Sequence, residues 1–254
     1  MSVLTPLLRT QALTDMFSDE RLVQGMLDFE AALATAQARC GVIPNAAVEP
    51  ITAACRASLI DLTTLATAAA SAGNLAIPLV KQLTQRVKNT DPEAARYVHW
   101  GATSQDAIDT GLMLQLQQAL GETETRLARL ISVLAEQVMR HQHTLLPGRT
   151  WMQHALPITY GLKLAGTLDA LLRWQERLAQ MRPRVLALQV GGAAGTLASL
   201  KEKGPEVALA LAAELNLTLP DTPWHSQRDR LIELASWYAG LCGTLGKFAN
   251  DFAL

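Results

Sequence analysis

Small polar residues collect in residues 96–110, RYVHWGATSQDAIDT, directly before a long apolar repeat of helical spacing. His99 supplies a group whose ordinary pKa lies near neutrality, so it suits proton transfer or charge stabilisation. Thr103 and Asp106 match a capping box, in which a hydroxyl and a carboxylate satisfy the first free amides of a helix. That structural role covers these two residues but leaves His99 unexplained. Because the free amides and dipole of a helix start attract anions, the segment predicts a carboxylate-binding site.

A second polar segment, PGRTWMQHALPITYG at residues 147–161, precedes another helical pattern. It brings Arg149, Gln153 and His154 together, and Pro157 suits the first turn of the helix expected there. A single histidine such as His154 is more often a hydrogen-bonded structural residue than a catalyst. A second histidine placed in a similar polar cluster favours a functional role for both.

A third polar segment, WHSQRDRLIELA at residues 224–235, supplies donors that include Gln227 and Arg228. A charged first helical turn with salt bridges explains them equally well. The neighbouring glycine-rich run LQVGGAAGTLASL, at residues 188–200, has no preceding strand and is a poor match to a dinucleotide-binding fingerprint. It indicates a flexible loop whose backbone can approach a ligand. Together the three segments, each at the end of a long helix, predict a shared site for a small polycarboxylate.

The composition narrows the class of protein. The chain has 254 residues, of which 49% are hydrophobic and 18% charged, so it has enough apolar residues for a large core. Its net charge of −1 argues against a nucleic-acid binder, because no basic stripe is available to replace counterions on a phosphate backbone. We expect a soluble, cytoplasmic protein that needs no metal and no cofactor, because there is no signal peptide, no membrane-spanning segment and no metal-ligand spacing. The three cysteines are read as reduced packing residues: Cys40, Cys55 and Cys242.

Helical periodicity dominates the chain, and neither strict strand alternation nor a hairpin dipeptide is present, so the predicted fold class is all-α. The longest pattern begins at Ser104 and continues to about residue 142 without proline. A pattern of this length is typical of a helical bundle rather than a compact globule. The other predicted helices cover residues 19–39, 46–58, 61–72 (closed by Gly73), 157–181 (closed by Pro183) and 228 onward.

The helix lengths predict two domains. Residues 1–103 would form a small helical N-terminal domain, and residues 104–254 a long-helix bundle that is incomplete at its C-terminal end. Apolar stripes this long need more partners than one such chain supplies, so we expect a homo-oligomer.

The motifs resemble those of a known superfamily. VHWGATSQDAIDT at 98–110 resembles the first signature of the fumarase/aspartase superfamily, and GRTWMQHALPITYGLKLAG at 148–166 resembles the second. The pairing is most similar to the carboxymuconate cycloisomerases of that superfamily, which act in protocatechuate catabolism. The resemblance implies a central helical bundle, a homotetramer with active sites shared between subunits, and lactonisation of a carboxymuconate without a cofactor. Further matching segments lie at 16–34, 72–83, 189–200, 223–235 and 245–254.

The resemblance also implies roles for individual residues. The first helix start would bind a substrate carboxylate through Thr103, Ser104 and Gln105, with Gln227 and Arg228 as partners.

The two histidines, His99 and His154, are the candidates for proton delivery or charge stabilisation. Trp151 would shape the pocket and exclude water. Residues of the second segment would add substrate-binding groups: Arg149, Thr150, Trp151 and Gln153.

Two departures from the superfamily pattern keep alternatives open. The S-S-x-M-P-x-K-x-N loop of the superfamily is absent, which favours an N-terminal part of such an enzyme or a non-catalytic truncated helical subunit. An adenylosuccinate-type lyase is the alternative activity, but those lyases read Thr-His where this chain has Thr150-Trp151. The low basic content also disfavours their phosphorylated substrate.

Overall fold

The structure is a computed structural model that describes residues 5–253. Within this range the chain forms ten α-helices, four short 3₁₀ turns and one two-stranded antiparallel sheet. The elements are, in order, α1 (Thr5–Leu8), α2 (Gln11–Met16), α3 (Asp19–Arg39), α4 (Val48–Ala54), α5 (Leu62–Ala72), α6 (Ala76–Thr90), α7 (Ser104–Arg140), β1 (Leu145–Thr150), β2 (Gln153–Thr159), α8 (Tyr160–Val185), α9 (Gly204–Leu215) and α10 (Asp229–Ala253).

The predicted all-α class is confirmed, and most predicted helices are present. Helix α3 covers residues 19–39 as expected, and Ser18 caps it by accepting a hydrogen bond from the Arg21 amide. Helix α5 begins after the cap Asp61, whose carboxylate accepts from two amides, and it ends at Gly73 in the left-handed region. Helices α7 and α10 begin at or within one residue of the predicted starts.

The sequence prediction was wrong between residues 145 and 160. Strands β1 and β2 form a hairpin there, and Pro157 lies in β2 rather than in the first turn of a helix. The two turn residues, Trp151 and Met152, both have positive φ, 52° and 62°, as a two-residue type I′ turn requires. Because Asn-Gly and similar dipeptides usually supply that conformation, Trp-Met gave no turn signal.

Two other predicted helix boundaries also need correction. Helix α8 starts at Tyr160 and continues through Pro183 to Val185, so the proline does not close it. A proline this near the C-terminal end removes only one hydrogen bond. Arg184 donates to the carbonyl of Gln180, 2.6 Å away, and so satisfies one acceptor of the last turns. The predicted helix at 46–58 is shorter, with α4 flanked by 3₁₀ turns.

The backbone contacts divide the chain into two compact units. Unit 1 contains the residues up to Ala119 together with Leu186–Arg228, and unit 2 contains Leu120–Val185 together with Asp229 onward. Helix α7 therefore contributes to both. The predicted division into domains 1–103 and 104–254 stays a prediction.

Unit 1 is built around α3, which packs against α4 and α9 and buries twelve of its residues. Helices α3 and α7 meet at two glycines: a Cβ on Gly25 would lie 2.7 Å from the carbonyl oxygen of Gly111. Only residues without a side chain allow the two backbones to approach this closely. Cys55, in the loop after α4, is buried, and its pKa is raised by burial and by the carboxylates of Glu30 and Asp28. The contact between Gly25 and Gly111 fixes α7 against α3, and α7 carries the first polar segment at its start.

Unit 2 is built around the pairing of α8 with α10. Trp174 of α8 donates to the hydroxyl of Thr244, 2.8 Å away, and accepts at its carbonyl from the indole of Trp237 at 3.1 Å. The start of α8 packs closely on the end of α7, since a Cβ on Gly161 would lie 2.7 Å from the Val138 carbonyl. The hairpin is joined directly to α8. Across residues 5–253, no helix combines the length and apolar content that crossing a membrane would need.

Candidate functional site

Asp106 is the central side chain at the start of α7, and it is completely buried. One carboxylate oxygen accepts from the side-chain amide of Gln189 at 2.9 Å and from the Gly191 amide at 3.1 Å. The other accepts from the Gly192 amide at 2.9 Å and from the Thr103 amide at 3.0 Å. The predicted capping interaction is therefore present on the Asp106 side. The same carboxylate also holds the glycine-rich loop against the helix start.

Gln189 connects the glycine-rich loop to the third polar segment. Its side-chain oxygen accepts from the Trp224 amide at 2.6 Å, while its backbone exchanges two hydrogen bonds with the hydroxyl of Thr110. The indole of Trp224 donates to the Leu188 carbonyl at 3.0 Å. All of these groups are buried, so each interaction is protected from exchange with water. The result is one continuous polar network in unit 1.

Arg228, a predicted carboxylate ligand, is already paired within the chain. Its guanidinium donates to both oxygens of the buried Asp109, at 2.7 and 2.8 Å, in the bidentate geometry that binds most strongly. The hydrogen bonds that Arg228 donates to Asp109, together with the negative charge of that carboxylate, raise the pKa of Arg228 despite partial burial. Its role as a substrate ligand stays a prediction, since binding substrate would mean sharing the guanidinium with Asp109.

His99 lies in the loop before α7 and is bonded to a residue that sequence reasoning missed. Its Nδ1 is 2.5 Å from Oε1 of Glu30, a buried carboxylate on α3. Burial alone would lower the pKa of His99, but the hydrogen bond to Glu30 and the negative charges of Glu30 and Asp106 outweigh it. The net effect is a raised pKa. The ring at the entrance to α7 is therefore protonated more readily than that of an ordinary histidine.

The predicted carboxylate ligands at the helix start are partly free. The backbone amide of Thr103 is used by Asp106, whereas the amides of Ser104 and Gln105 have no partner in the part of the chain that the structure describes. The side chains of these three residues are half-buried. Two N–H groups at a helix start, close to two hydroxyls, form an arrangement that can receive one carboxylate.

The predicted ligands of the second segment lie in unit 2, on the hairpin. Thr150 and Gln153 form the last strand pair before the turn, and Arg149 pairs with His154 one step away. All four are exposed, and the side chain of Trp151 at the tip is 96% exposed. Within residues 5–253 none of these five side chains has a hydrogen-bond partner.

The structure thus brings two of the three predicted polar segments together, along with the glycine-rich loop. These are the segments with His99, Ser104 and Arg228, all in unit 1; Gln227 is exposed beside them, its amide bonded to the Trp224 carbonyl at 3.0 Å. The hairpin residues form a second cluster within unit 2. The sequence analysis missed Glu30. A signal for it existed, since Glu30 is the one carboxylate inside the apolar stripe of α3. Among the described residues, no group of three or more His, Cys, Asp or Glu side chains could hold a metal ion.

A long helix that starts at a polar network, within a nearly all-helical chain, is the architecture expected from the two signatures. The chain belongs to the lyase family, whose family model matches residues 8–254. The predicted resemblance is confirmed by this match and by individual relatives.

The 3-carboxy-cis,cis-muconate cycloisomerase of Pseudomonas aeruginosa is 60% identical over 239 residues, which is 94% of this chain and 52% of the relative. The crystal structure of the 3-carboxy-cis,cis-muconate lactonizing enzyme from Pseudomonas putida matches with a TM-score of 0.96 at 53% identity. The match covers 98% of this chain and 57% of that one. The corresponding cycloisomerase structure from Acinetobacter calcoaceticus gives a TM-score of 0.97 at 44% identity, covering 99% and 59%. The chain spans about half the length of the curated relatives it matches.

Proposed function

We propose that this chain supplies part of the active site of a cycloisomerase that converts 3-carboxy-cis,cis-muconate to 4-carboxymuconolactone in protocatechuate catabolism. The observation that carries the proposal is the likeness to the Pseudomonas putida lactonizing enzyme, with a TM-score of 0.96 at 53% identity. The site geometry supports it, because a helix start with free amides beside a protonatable histidine suits a substrate that carries several carboxylates.

The proposed reaction is internal to the substrate apart from one proton. A substrate carboxylate oxygen forms a C–O bond to one carbon of the conjugated diene, and the π electrons move to the neighbouring carbon. A protein acid delivers a proton to that carbon, and the acid is reprotonated from solvent. Because the nucleophile belongs to the substrate, the protein needs only to hold the reactive conformer, stabilise the developing charge and supply the proton.

Substrate binding is assigned to the start of α7. The amides of Ser104 and Gln105 and the hydroxyls of Thr103 and Ser104 would receive a carboxylate that the substrate does not use in ring closure. The buried Asp106 does not compete for these groups, since its four hydrogen bonds go to other donors. Gln227 and the partly exposed edge of Arg228 would contact a second carboxylate.

Proton delivery is assigned to His99 or His154. His99 has the raised pKa that a general acid near neutral pH requires. His154 lies on the exposed hairpin with Arg149, Thr150, Trp151 and Gln153, the other predicted ligands of the second segment. Trp151 would exclude water when the site is complete.

A homo-oligomer with shared sites, in the cytoplasm, is the proposed setting. Four large apolar side chains of the hairpin are exposed in this single chain, more than a stable surface usually presents in one small element. We propose that this hairpin packs on a second copy, so that its ligands reach a site that another subunit begins. The four side chains are Leu145, Trp151, Met152 and Leu156.

The proposed function can be tested with two proteins. The first is this chain alone, and the second is a chimera in which it replaces the matched part of the Pseudomonas aeruginosa cycloisomerase. Each is mixed with 3-carboxy-cis,cis-muconate, and loss of the diene ultraviolet absorbance is followed, with adenylosuccinate as the second substrate. We expect the chimera to consume the muconate. A chimera that is folded by circular dichroism but leaves the muconate untouched would contradict the proposal, and consumption of adenylosuccinate would favour the alternative lyase.

Substitutions in the chimera assign the roles. We expect His154→Ala to lower turnover by about 10²-fold or more, which is the usual scale for a proton-transfer group. His143→Ala is the matched control, an exposed histidine of unit 2 with no assigned role. Ser104→Ala should raise KM and leave kcat nearly unchanged. An unchanged rate in His154→Ala removes that residue from the mechanism, and an unchanged KM in Ser104→Ala rejects the carboxylate site.

A further inference from the structure

Two buried polar side chains of helix α3 contact the loop before α7. Glu30 and Gln37 are seven residues apart, which is two helical turns, so they lie on the same face of α3. Glu30 contacts the ring of His99, and Gln37 donates to the carbonyl of Trp100, the next residue, at 2.6 Å. Both side chains are almost fully buried. Polar groups are costly at such positions unless they have a specific partner, and each of these two side chains has one in the loop before α7.

The Glu30 carboxylate makes its single recorded hydrogen bond with His99. Oε1 is 2.5 Å from Nδ1 of the ring, while Oε2 is buried and has no partner among the described residues. The side chain of Glu30 is 2% exposed and that of His99 16%. The side-chain oxygen of Gln37 is likewise buried without a partner among the described residues, so what sets Glu30 apart is that its other oxygen meets a titratable ring. Here one oxygen is left unpaired and the other is directed at an imidazole.

The backbone holds the ring in place from the other side. His99 has φ 57°, in the left-handed region that residues with a side chain rarely adopt, and Gly101 two residues later has φ 72°. Such a conformation costs free energy and persists where the surroundings enforce it. The bond from Gln37 to the Trp100 carbonyl fixes the Trp100–Gly101 peptide, one residue beyond His99. The loop therefore presents the imidazole in one orientation.

We propose that Glu30 is a positioning residue: its carboxylate accepts the Nδ1 proton of His99 and thereby directs Nε2 of that histidine to the substrate. An ionised carboxylate can only accept, so it selects the tautomer with hydrogen on Nδ1 and leaves Nε2 as the reactive nitrogen. Nε2 has no partner within residues 5–253 and is not among their buried unpaired atoms, so solvent can reach it. The inference rests on the proposed function, because it assigns the geometry of a histidine that the proposed reaction uses.

The charges around His99 determine how the contact responds to pH. Glu30 faces it from α3 and Asp106 from α7, and both favour the protonated ring. Another ionisable group near Glu30 is the buried thiol of Cys55, whose pKa is raised by burial and by that carboxylate among others, so it carries no charge near neutrality. Removing the charge of Glu30 leaves burial, which favours the neutral ring, opposed only by Asp106.

The first experiment reads the contact directly in this chain. The protein is labelled with ¹³C,¹⁵N-histidine, its five histidines are titrated by NMR, and His99→Asn identifies the signal of His99. We expect His99 to titrate above the ordinary 6.5 and to carry its neutral-state proton on Nδ1. In Glu30→Gln the midpoint should fall by at least one pH unit. Glu30→Asp, which keeps the charge on a shorter side chain, should lie between the two.

Gln37→Met is the matched control. It removes a buried polar contact from the same face of α3 to the same loop, but it leaves the ring contact intact. If Glu30 has only a structural role, Glu30→Gln and Gln37→Met should alter the His99 titration alike. Equal titrations in Glu30→Gln and the unsubstituted protein would overturn the proposal. So would a His99 in the unsubstituted protein with an ordinary midpoint or with its proton on Nε2, a result that does not depend on whether the variants fold.

The second experiment separates this proposal from the proposed function. In the chimera, Glu30→Gln should lower kcat at least tenfold with little change in KM, because replacing the carboxylate that orients a catalytic histidine has a large effect in well-studied triads. It should also move the alkaline limb of the pH–rate profile, which reports loss of the proton from the general acid, to lower pH. Glu30→Asp should recover part of the rate. If the NMR titration of His99 depends on Glu30 but substitution of neither Glu30 nor His99 changes the chimera's rate, then His99 has no part in the reaction. That outcome contradicts the role assigned to His99 in the proposed function. A His99 titration that does not depend on Glu30 instead contradicts the positioning by Glu30.

Discussion

The start of α7 and the β1–β2 hairpin carry the two signature segments, and they differ in how fully the chain itself supports them. At the start of α7, Asp106 is buried and accepts four hydrogen bonds, and His99 is held by Glu30. On the hairpin, Trp151 is 96% exposed and the neighbouring polar side chains have no partner among the described residues. The first segment is organised by its own chain. In the second segment the strand pairing fixes the backbone, but the predicted ligand side chains have no hydrogen-bond partner among the described residues.

Both segments contain residues in the left-handed region, but they are held by different contacts. His99 is fixed by side chains from α3, whereas Trp151 and Met152 are fixed by the strand pairing on either side of the turn. This difference shows which of the two segments has its side chains held by contacts within the chain. It also gives an order of expected effects when each segment is altered.

The largest effect is expected from Asp106→Ala. The substitution leaves the amides of Gly191 and Gly192 and the side chain of Gln189 buried without an acceptor, and each such group costs about 1–3 kcal/mol. We expect the free energy of unfolding to fall by about 3 kcal/mol or more, measured by urea denaturation. Asp169→Ala is the control, because its ion pair with Arg173 on α8 is exposed and should contribute less than about 1 kcal/mol. Similar losses in both variants would show that unit 1 does not depend on this carboxylate.

The next effect is expected where α3 and α7 meet. Gly111→Ala would place a Cβ 2.8 Å from the Met26 amide nitrogen, so a backbone must shift, at a cost of about 1–3 kcal/mol. Gly121→Ala on the same helix meets nothing within 4 Å and should raise stability by up to about 1 kcal/mol. Thermal unfolding of the two variants measures the difference. If both changes have the same sign, the close approach of α3 and α7 is not a constraint.

A smaller effect is expected from the pH dependence of the Glu30–His99 contact. Because the folded-state pKa of His99 is raised above its ordinary 6.5, this stabilisation is fully present below pH 6.5 and is lost as the pH rises through the raised pKa. The stability advantage of the unsubstituted protein over Glu30→Gln should therefore shrink as the pH rises from 6 to 9. Unfolding curves at several pH values check this. An advantage that grows with pH would reverse the assigned sign.

The smallest effect is expected at the tip of the hairpin. Replacing Trp151-Met152 by Asn-Gly gives the turn residues that favour positive φ. At a protein concentration where the chain is monomeric, so that the proposed packing on a second copy is absent, the change should raise stability by up to about 1 kcal/mol. Differential scanning calorimetry measures the change. A clear loss of stability, dependent on protein concentration, would mean that Trp151 is buried in an assembly of this chain. That result would remove the contrast between the two segments.

The parts of the fold that were predicted correctly are those decided by periodicity. Helices α3, α5, α7 and α10 repeat apolar residues over many turns, and their caps use ordinary residues such as Ser18, Asp61 and Gly73. The hairpin was missed because its turn is made by Trp151 and Met152, whose conformation is set by the paired strands rather than by their own preference. The continuation of α8 past Pro183 was missed for a similar reason, since its neighbours tolerate the loss of one hydrogen bond.

The candidate site was predictable to the extent that its residues are close in sequence. The helix start with Ser104 and Gln105 was located from a short motif, whereas the partner of His99 lies 69 residues away. Glu30 was visible as a charged residue within an apolar stripe, but spacing alone cannot say which group a buried carboxylate meets. The pairing of Arg228 with Asp109 was hidden for the same reason, because it joins residues 119 positions apart.

The burial of Cys55 has a practical consequence for studying this region. Its thiol is enclosed and resists ionisation, whereas Cys242 is exposed, so the two should react with a thiol reagent at very different rates in the same sample. Slow modification of Cys55 would report how often the packing around α3 opens, with Cys242 as an internal standard for reagent activity. The rate of local opening beside the buried carboxylate can thus be measured with the natural cysteines, without introducing a new one.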